Sequence, residues 1–356
     1  MNACSVRGAV AVAASLCALA GATACDVQSA GKGSDTASAG DSATQAKDLK
    51  VGWSTIYLTP SWMQQTLKML QTDVDKLKSA GKVSAFKTFN ANGDASQQIA
   101  QIRAMIQQKY DVILVDAGSS TALNPALEQA VAAGITVVAF DSLPTSTKVI
   151  RVGTDQKAWG SMMANWLAKK LDGKGSIIAM NGPAGVAVSE DRWAGADAVF
   201  KKYPGIKIVS NVHSEYNLAP AAQAFASAYS AHADIDGVFS QGGALSAAAL
   251  QTLVKQDKKL VPITGENYNG FLKLWQSKQK EGFSSIATAQ PNYLSVIALE
   301  AAVAKREGVA VPQDITVPLP EITDGNLSQY AKPGQPDDSY PINDIAQSDV
   351  DKLVGK

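Results

Sequence analysis

Apolar and polar positions fall into sharply bounded blocks along Tyr110–Ser142. A β-branched run, Val112–Val115, ends on Asp116, and a second run, Ile135–Phe140, ends on Asp141. Continuous runs of this length suit strands buried on both faces, as in a parallel sheet. Between them Leu123, Leu127, Ala130 and Val131 share one helical face. Pro125 suits the first turn of that helix, and Gly134 suits a left-handed exit. The stretch reads as a βαβ unit with a carboxylate at the carboxyl end of each strand, the edge at which open α/β sheets place ligands.

The same alternation runs through most of the chain. Lys50–Ile56 predicts a first strand, followed by a loop over Tyr57–Trp62 and a helix whose apolar stripe is Met63, Leu67, Leu70, Val74 and Leu77. Val83–Phe89 predicts a strand. Asp94 and Gln97 are spaced as a capping box, and Ile99, Ile102 and Ile106 mark the helix after it. Lys148–Val152 is a short strand leading to Gly153-Thr154-Asp155. The pattern then restarts, with strands expected at 176–180, 206–212, 237–240, 260–264 and 284–289, and helices between them. Two successive α/β sets predict two doubly wound lobes. Val311–Lys356 is proline-rich and weakly periodic. It reads as one extended strand, Ile315–Pro318, and then an irregular tail over 333–356.

At 356 residues the chain can bury a large core. A formal charge of zero gives no electrostatic case for nucleic acid or an anionic membrane surface. The first 24 residues depart from the rest. Arg7 precedes an apolar Ala/Val/Leu stretch over 8–20, and Ala22-Thr23-Ala24 precedes Cys25. This reads as a signal peptide, too short to span a bilayer. The three cysteines (Cys4, Cys17, Cys25) all lie in or next to it, so export would leave only Cys25. A lone cysteine after a small-residue cleavage site resembles a bacterial lipobox, which implies acylation at Cys25, although Ala22 stands where that motif carries Leu. Residues 25–48 are Ser/Ala/Gly/Asp-rich and read as a flexible tether.

The strand ends carry the candidate chemistry. Predicted strands close on Asp116, Asp141, Thr154, Asn181, Tyr216, Gln241, Glu266 and Asn267, while the first loop adds Tyr57, Thr59 and Trp62. Carboxylates and amides accept from hydroxyl groups, and Arg192 donates to their lone pairs. Aromatic rings cover the C–H faces of a sugar. The set suits a neutral, polyhydroxylated ligand. No nucleophile elbow, zinc motif, phosphate loop or dinucleotide fingerprint is present. His213 and His232 are the two histidines, and no cluster has metal-ligand spacing. His232 reads as structural, whereas His213 follows a strand and has a path to the cleft. Trp159 and Trp166 read as core, and Trp193 suits either core or cleft.

Three segments, VILVDAGSSTALNPALEQAVAAGITVVAFDS, RVGTDQKAWGSMMANWLAKKL and SEDRWAGADAVFKKYPGIKIV, resemble type I periplasmic binding proteins of the ribose/galactose-binding branch. Members of that branch are substrate-binding components of ABC importers. The resemblance covers roughly Lys50–Glu307. It implies two Rossmann-like lobes joined by three crossovers, near Gly153, Ala287 and Val311, with ligand trapped between them by hinge closure. The implied divisions are an N-terminal lobe of 49–153 plus 288–311 and a C-terminal lobe of 154–287 plus 312–332.

By the same resemblance Asp141 and Arg192 stand at sugar-binding positions, and Trp62 and Tyr216 at sandwiching aromatics. Asp116 replaces a common Asn and Asn267 a common Asp. Gly242 stands where Asn is usual, Ser61 replaces an aromatic, and Gln290 lies one residue from the usual place of a cleft Gln, here Ala289. The implied protein is a monomeric, lipid-anchored, extracytoplasmic receptor. It binds a sugar or polyol, needs no cofactor, performs no catalysis and partners ABC permease subunits. Alternatives are a receptor for a sensor kinase or chemoreceptor, a nucleoside- or autoinducer-2-like ligand, or a secreted hydrolase.

Overall fold

The computed structural model describes residues 46–356; the signal-peptide and Cys25 expectations, and most of the tether, fall outside them. The first alternating set forms β1 (Leu49–Thr55), α1 (Ser61–Ser79), β2 (Val83–Asn90), α2 (Ala95–Gln107), β3 (Val112–Asp116), α3 (Asn124–Ala132), β4 (Thr136–Phe140) and β5 (Ile150–Gly153). The second forms α4 (Gln156–Lys170), β6 (Lys174–Asn181), α5 (Ala187–Phe200), β7 (Gly205–His213), α6 (Leu218–Ala231), β8 (Gly237–Ser240), α7 (Gly243–Lys255), β9 (Ile263–Glu266), α8 (Asn269–Lys278) and β10 (Ser285–Thr288). The chain ends with α9 (Leu294–Arg306), β11 (Asp314–Thr316), β12 (Ile322–Thr323), α10 (Leu327–Tyr330) and α11 (Gln347–Val354).

The strands make two six-stranded sheets, ordered β11-β5-β4-β3-β1-β2 and β12-β10-β9-β8-β6-β7. The pairings are parallel except β10 with β12. Every residue of β3 is buried, as its unbroken apolar run requires. Pro125 sits in the first turn of α3, and Gly134 takes φ +82° just after it, where a side chain would be strained. Asp94 caps α2 by accepting from the backbone N–H groups of Ser96 and Gln97 at 2.7 and 3.3 Å. These are the two α/β lobes that the alternation predicts.

Two expectations change. β11 pairs with β5 of the first sheet and β12 with β10 of the second. Residues 312–316 therefore belong with the first lobe, and the third crossing falls at 317–321 rather than near Val311. The Val317 N–H, bonded to the Gly153 carbonyl at 2.8 Å, extends the first-sheet pairing to that point. The tail after Pro333 is also not irregular throughout. Val350 and Val354 bury one face of α11, which packs against α9. Eight residues hold too short an apolar stripe for periodicity to register among the prolines.

Candidate ligand-binding site

One cavity collects the carboxyl ends of strands from both lobes. Its volume is about 60 Å³. One water needs roughly 10–15 Å³, so the cavity has room for a small molecule. Tyr57, Trp62, Asp116, Asp141, Arg192, Tyr216, Glu266 and Gln290 all line it.

The first lobe contributes acceptors. Asp116 ends β3 and is fully buried. Its Oδ2 accepts from Thr55 Oγ1 at 3.1 Å, and its Oδ1 has no hydrogen-bond partner among the described residues. Burial, with the Asp141 charge added, raises its pKa well above the carboxylate range. Asp141 follows β4 at φ +62°, a left-handed conformation that Asp tolerates better than most residues, and its N–H bonds the Val152 carbonyl at 3.1 Å. Burial pushes Asp141 up to about 6, against the lowering effects of Gln290 and Arg192.

The second lobe contributes a fixed cation. Arg192 is 3% exposed. Its Nε donates to Gln156 Oε1 at 2.8 Å and its Nη1 to the Gln241 carbonyl at 2.6 Å, while its guanidinium lies 4.5 Å over the Trp159 ring. Glu266 Oε1 is 3.8 Å from Arg192 Nη2, and Glu266 Oε2 accepts from the Gly243 N–H at 2.9 Å, at the start of α7. Burial raises Glu266, and Arg192 partly offsets it. The RWAG segment also explains the helix packing. A Cβ at Gly195 would lie 2.1 Å from the Lys157 carbonyl, and one at Gly160 would lie 1.8 Å from that of Arg192. Only glycines let α4 and α5 approach this closely.

Aromatic rings close the site. Trp62 lies in the first turn of α1, not in a loop, and donates through Nε1 to the Gln290 carbonyl at 2.7 Å. Tyr216 OH donates to Gln241 Oε1 at 3.1 Å. Its side chain runs between Gly182 and Gly242, where added Cβ atoms would meet its hydroxyl at 2.1 Å and its ring at 2.7 Å. The glycine at 242 therefore makes room for Tyr216 rather than leaving a gap.

Three expected residues fall outside this cavity. Thr59 is exposed and faces a more open groove. Thr154 supports from behind, donating through Oγ1 to Gln290 Oε1 at 2.6 Å. Asn267 is fully buried, and neither of its side-chain polar atoms has a partner among the described residues. It follows Glu266 directly, and strand alternation sends neighbouring side chains to opposite faces.

His213 bonds the Gly182 carbonyl through Nδ1 at 2.9 Å and does not line the cavity. Trp193 packs edge-on against Phe239 in the core. Sequence reasoning missed the apolar lining from Ile56, Met63, Pro183 and Val186, and it missed Tyr340. Tyr340 lies in a segment without periodicity, so no pattern pointed to it.

The sequence matches the family model described as a periplasmic binding protein domain over residues 51–308. It is 29% identical over 237 residues to the xylitol-binding protein of Mycolicibacterium smegmatis, which covers 66% of each chain. It is 26% identical over 232 residues to the ribose import binding protein of Bacillus subtilis, covering 65% of this chain and 74% of that one. An ABC transporter solute-binding protein from Thermobispora bispora superposes with a TM-score of 0.79 at 24% identity, over 86% of this chain and 95% of that one. One from Bacillus halodurans with bound myo-inositol superposes at 0.70 and 19% identity, over 81% and 98%. The match over residues 51–308, carried by a two-lobed fold with its polar strand ends gathered at one cavity, makes this chain a member of the periplasmic binding protein family.

Proposed function

We infer that the protein is an extracytoplasmic solute-binding component of an ABC importer, binding a sugar or polyol between its lobes by hinge closure. One observation carries the reading: acceptors from one lobe, Asp116 and Asp141, and a fixed donor from the other, Arg192, line the same compact cavity with aromatic rings. A hydroxylated ligand satisfies both sides at once and so favours the closed arrangement. No bond is made or broken. Relatives named for xylitol, ribose and galactofuranose support a neutral, hydroxyl-rich ligand. In this reading Cys25 carries a lipid anchor, the receptor acts as a monomer, and the permease is its protein partner.

A thermal-shift screen of the purified protein against sugars, polyols and nucleosides tests the ligand class. A tight ligand raises the melting temperature by mass action. A shift with a sugar or polyol is the expected result. A shift with nucleosides alone, or turnover of a glycoside, contradicts the proposal.

A further inference from the structure

The chain after α10 runs back across the cleft and is fastened at both sides. On the second lobe, the buried Asn269 side chain donates through Nδ2 to the carbonyls of Lys332, Gln335 and Pro336 at 2.9, 3.0 and 3.0 Å. Its Oδ1 accepts from the Lys332 N–H at 2.9 Å. The Gly270 N–H donates to the Asp337 carbonyl at 2.7 Å, and a Cβ at Gly270 would lie 3.0 Å from that of Asp337.

On the first lobe, Gln65 of α1 brackets the Tyr340 backbone. Its Nε2 donates to the Tyr340 carbonyl at 2.9 Å, and its Oε1 accepts the Tyr340 N–H at 3.0 Å. Beyond that, α11 is held against α9 through Val350 and Val354, and Lys356 Nζ lies 3.3 Å from Glu307 and 3.7 Å from Glu300.

Between these fastenings Tyr340 turns inward. It is 2% exposed, stands edge-on to Tyr268 with ring centroids 5.5 Å apart, and lines the same cavity as Trp62 and Tyr216.

We propose that Lys332–Lys356 is a strap tying the two lobes together across the cleft, and that its Tyr340 is a specificity-determining wall of the ligand site. The role of Tyr340 rests on the solute-binding function inferred above; the tie between the lobes does not. Ser61, at the start of α1, lines the adjoining groove and is too small to close this side, and Tyr340 closes it from outside the two alternating sets. A rigid ring at a compact cavity selects by shape, because a substituent pointing at it has nowhere to go. The strap is a further connection beside the three crossings of the hinge, so opening the lobes strains the Gln65 or Asn269 contacts.

Two measurements on the full chain test this. Calorimetry with xylitol, ribose, myo-inositol and D-allose compares the wild type with Tyr340→Ala and Tyr340→Phe. The expected result is a roughly tenfold or greater loss for the preferred ligand in Tyr340→Ala, a changed rank order, and recovery in Tyr340→Phe. Unchanged rank order and affinities within about twofold overturn the specificity role.

Small-angle scattering of the ligand-free protein compares the wild type with Gln65→Ala and Asn269→Ala. A larger radius of gyration in folded variants is expected, and an unchanged one overturns the tie. Gln65 is only half-buried, so its variant keeps the test open if Asn269→Ala unfolds. If no panel member binds the wild type, the sugar reading falls, and scattering still decides the strap.

Discussion

Gln290 Nε2 donates to Asp141 Oδ1 across 2.6 Å, joining the second crossing of the hinge to the carboxylate at the end of β4. The same side chain accepts from Thr154 in the first crossing, and its backbone carbonyl accepts from Trp62. Its N–H also reaches Glu266 of the other lobe at 3.3 Å. One residue thus fixes the positions of the principal acceptor, one aromatic wall and one carboxylate of the second lobe.

Gln290→Ala strips the donor from a buried carboxylate, which costs about 1–3 kcal/mol of stability. The expected outcome is a lower melting temperature and at least roughly tenfold weaker binding by calorimetry. A variant with wild-type affinity would show that the hinge does not position Asp141.

Asp141→Asn separates binding from folding. Asn also tolerates the left-handed backbone, and it removes a buried charge. Folding stability at pH 7 is expected to hold or rise. Affinity falls roughly 10- to 100-fold, because a hydrogen bond to a charged acceptor is lost. Parallel thermal melts and calorimetry measure both.

The pH dependence has opposite signs for stability and binding. Asp73 and Asp141 are both raised from 3.8 to about 6, chiefly by burial. A raised carboxyl holds its proton longer in the folded state than in the unfolded one. Its contribution is full below about 4 and is lost as pH rises through about 6. The ligand-free protein is therefore expected to melt at a lower temperature at pH 7 than at pH 5. Asp73→Asn, remote from the cavity, removes roughly 1.4 kcal/mol of that difference, the part of its shift that lies between pH 5 and its folded value of about 6. Ligand binding runs the other way, since protonating Asp141 removes an acceptor, so affinity falls as pH drops below about 6. Melts and titrations over pH 4.5–7.5 check both signs.

Tyr216 needs the space left by Gly182 and Gly242. Gly242→Ala forces its ring to move, and Gly242→Asn, which restores the residue usual at that position, moves it further. Both are expected to weaken binding, as read by calorimetry, with folded circular dichroism spectra. Tighter binding by Gly242→Asn would mean that the amide replaces what the ring supplies.

Much of this was legible in the sequence where local periodicity and burial agree. The βαβ unit around Asp116 and Asp141 could be read because strands buried on both faces leave no polar position until they end, so the first carboxylate marks the edge. Arg192 was placed by resemblance, within SEDRWAG, and the α4–α5 contact explains the glycine of that segment, Gly195. Asn267 was misplaced because strand ends show which residues are near an edge but not which way alternation turns them. Tyr340 was invisible because its backbone is held by the Gln65 side chain, 275 residues away, and the segment before it by the Asn269 side chain, contacts that impose no pattern on the tail. The third crossing was placed too early because the extended stretch at Ile315, though read as a strand, carries no sign of which sheet it pairs with.

The most direct test is a crystal structure of the protein with the sugar or polyol that gives the largest thermal shift. The predicted result is a ligand enclosed between the lobes, with hydroxyl groups within hydrogen-bond reach of both Asp141 and Arg192 and a ring or chain face against Trp62 or Tyr216. A ligand bound elsewhere, or one touching neither Asp141 nor Arg192, would contradict it.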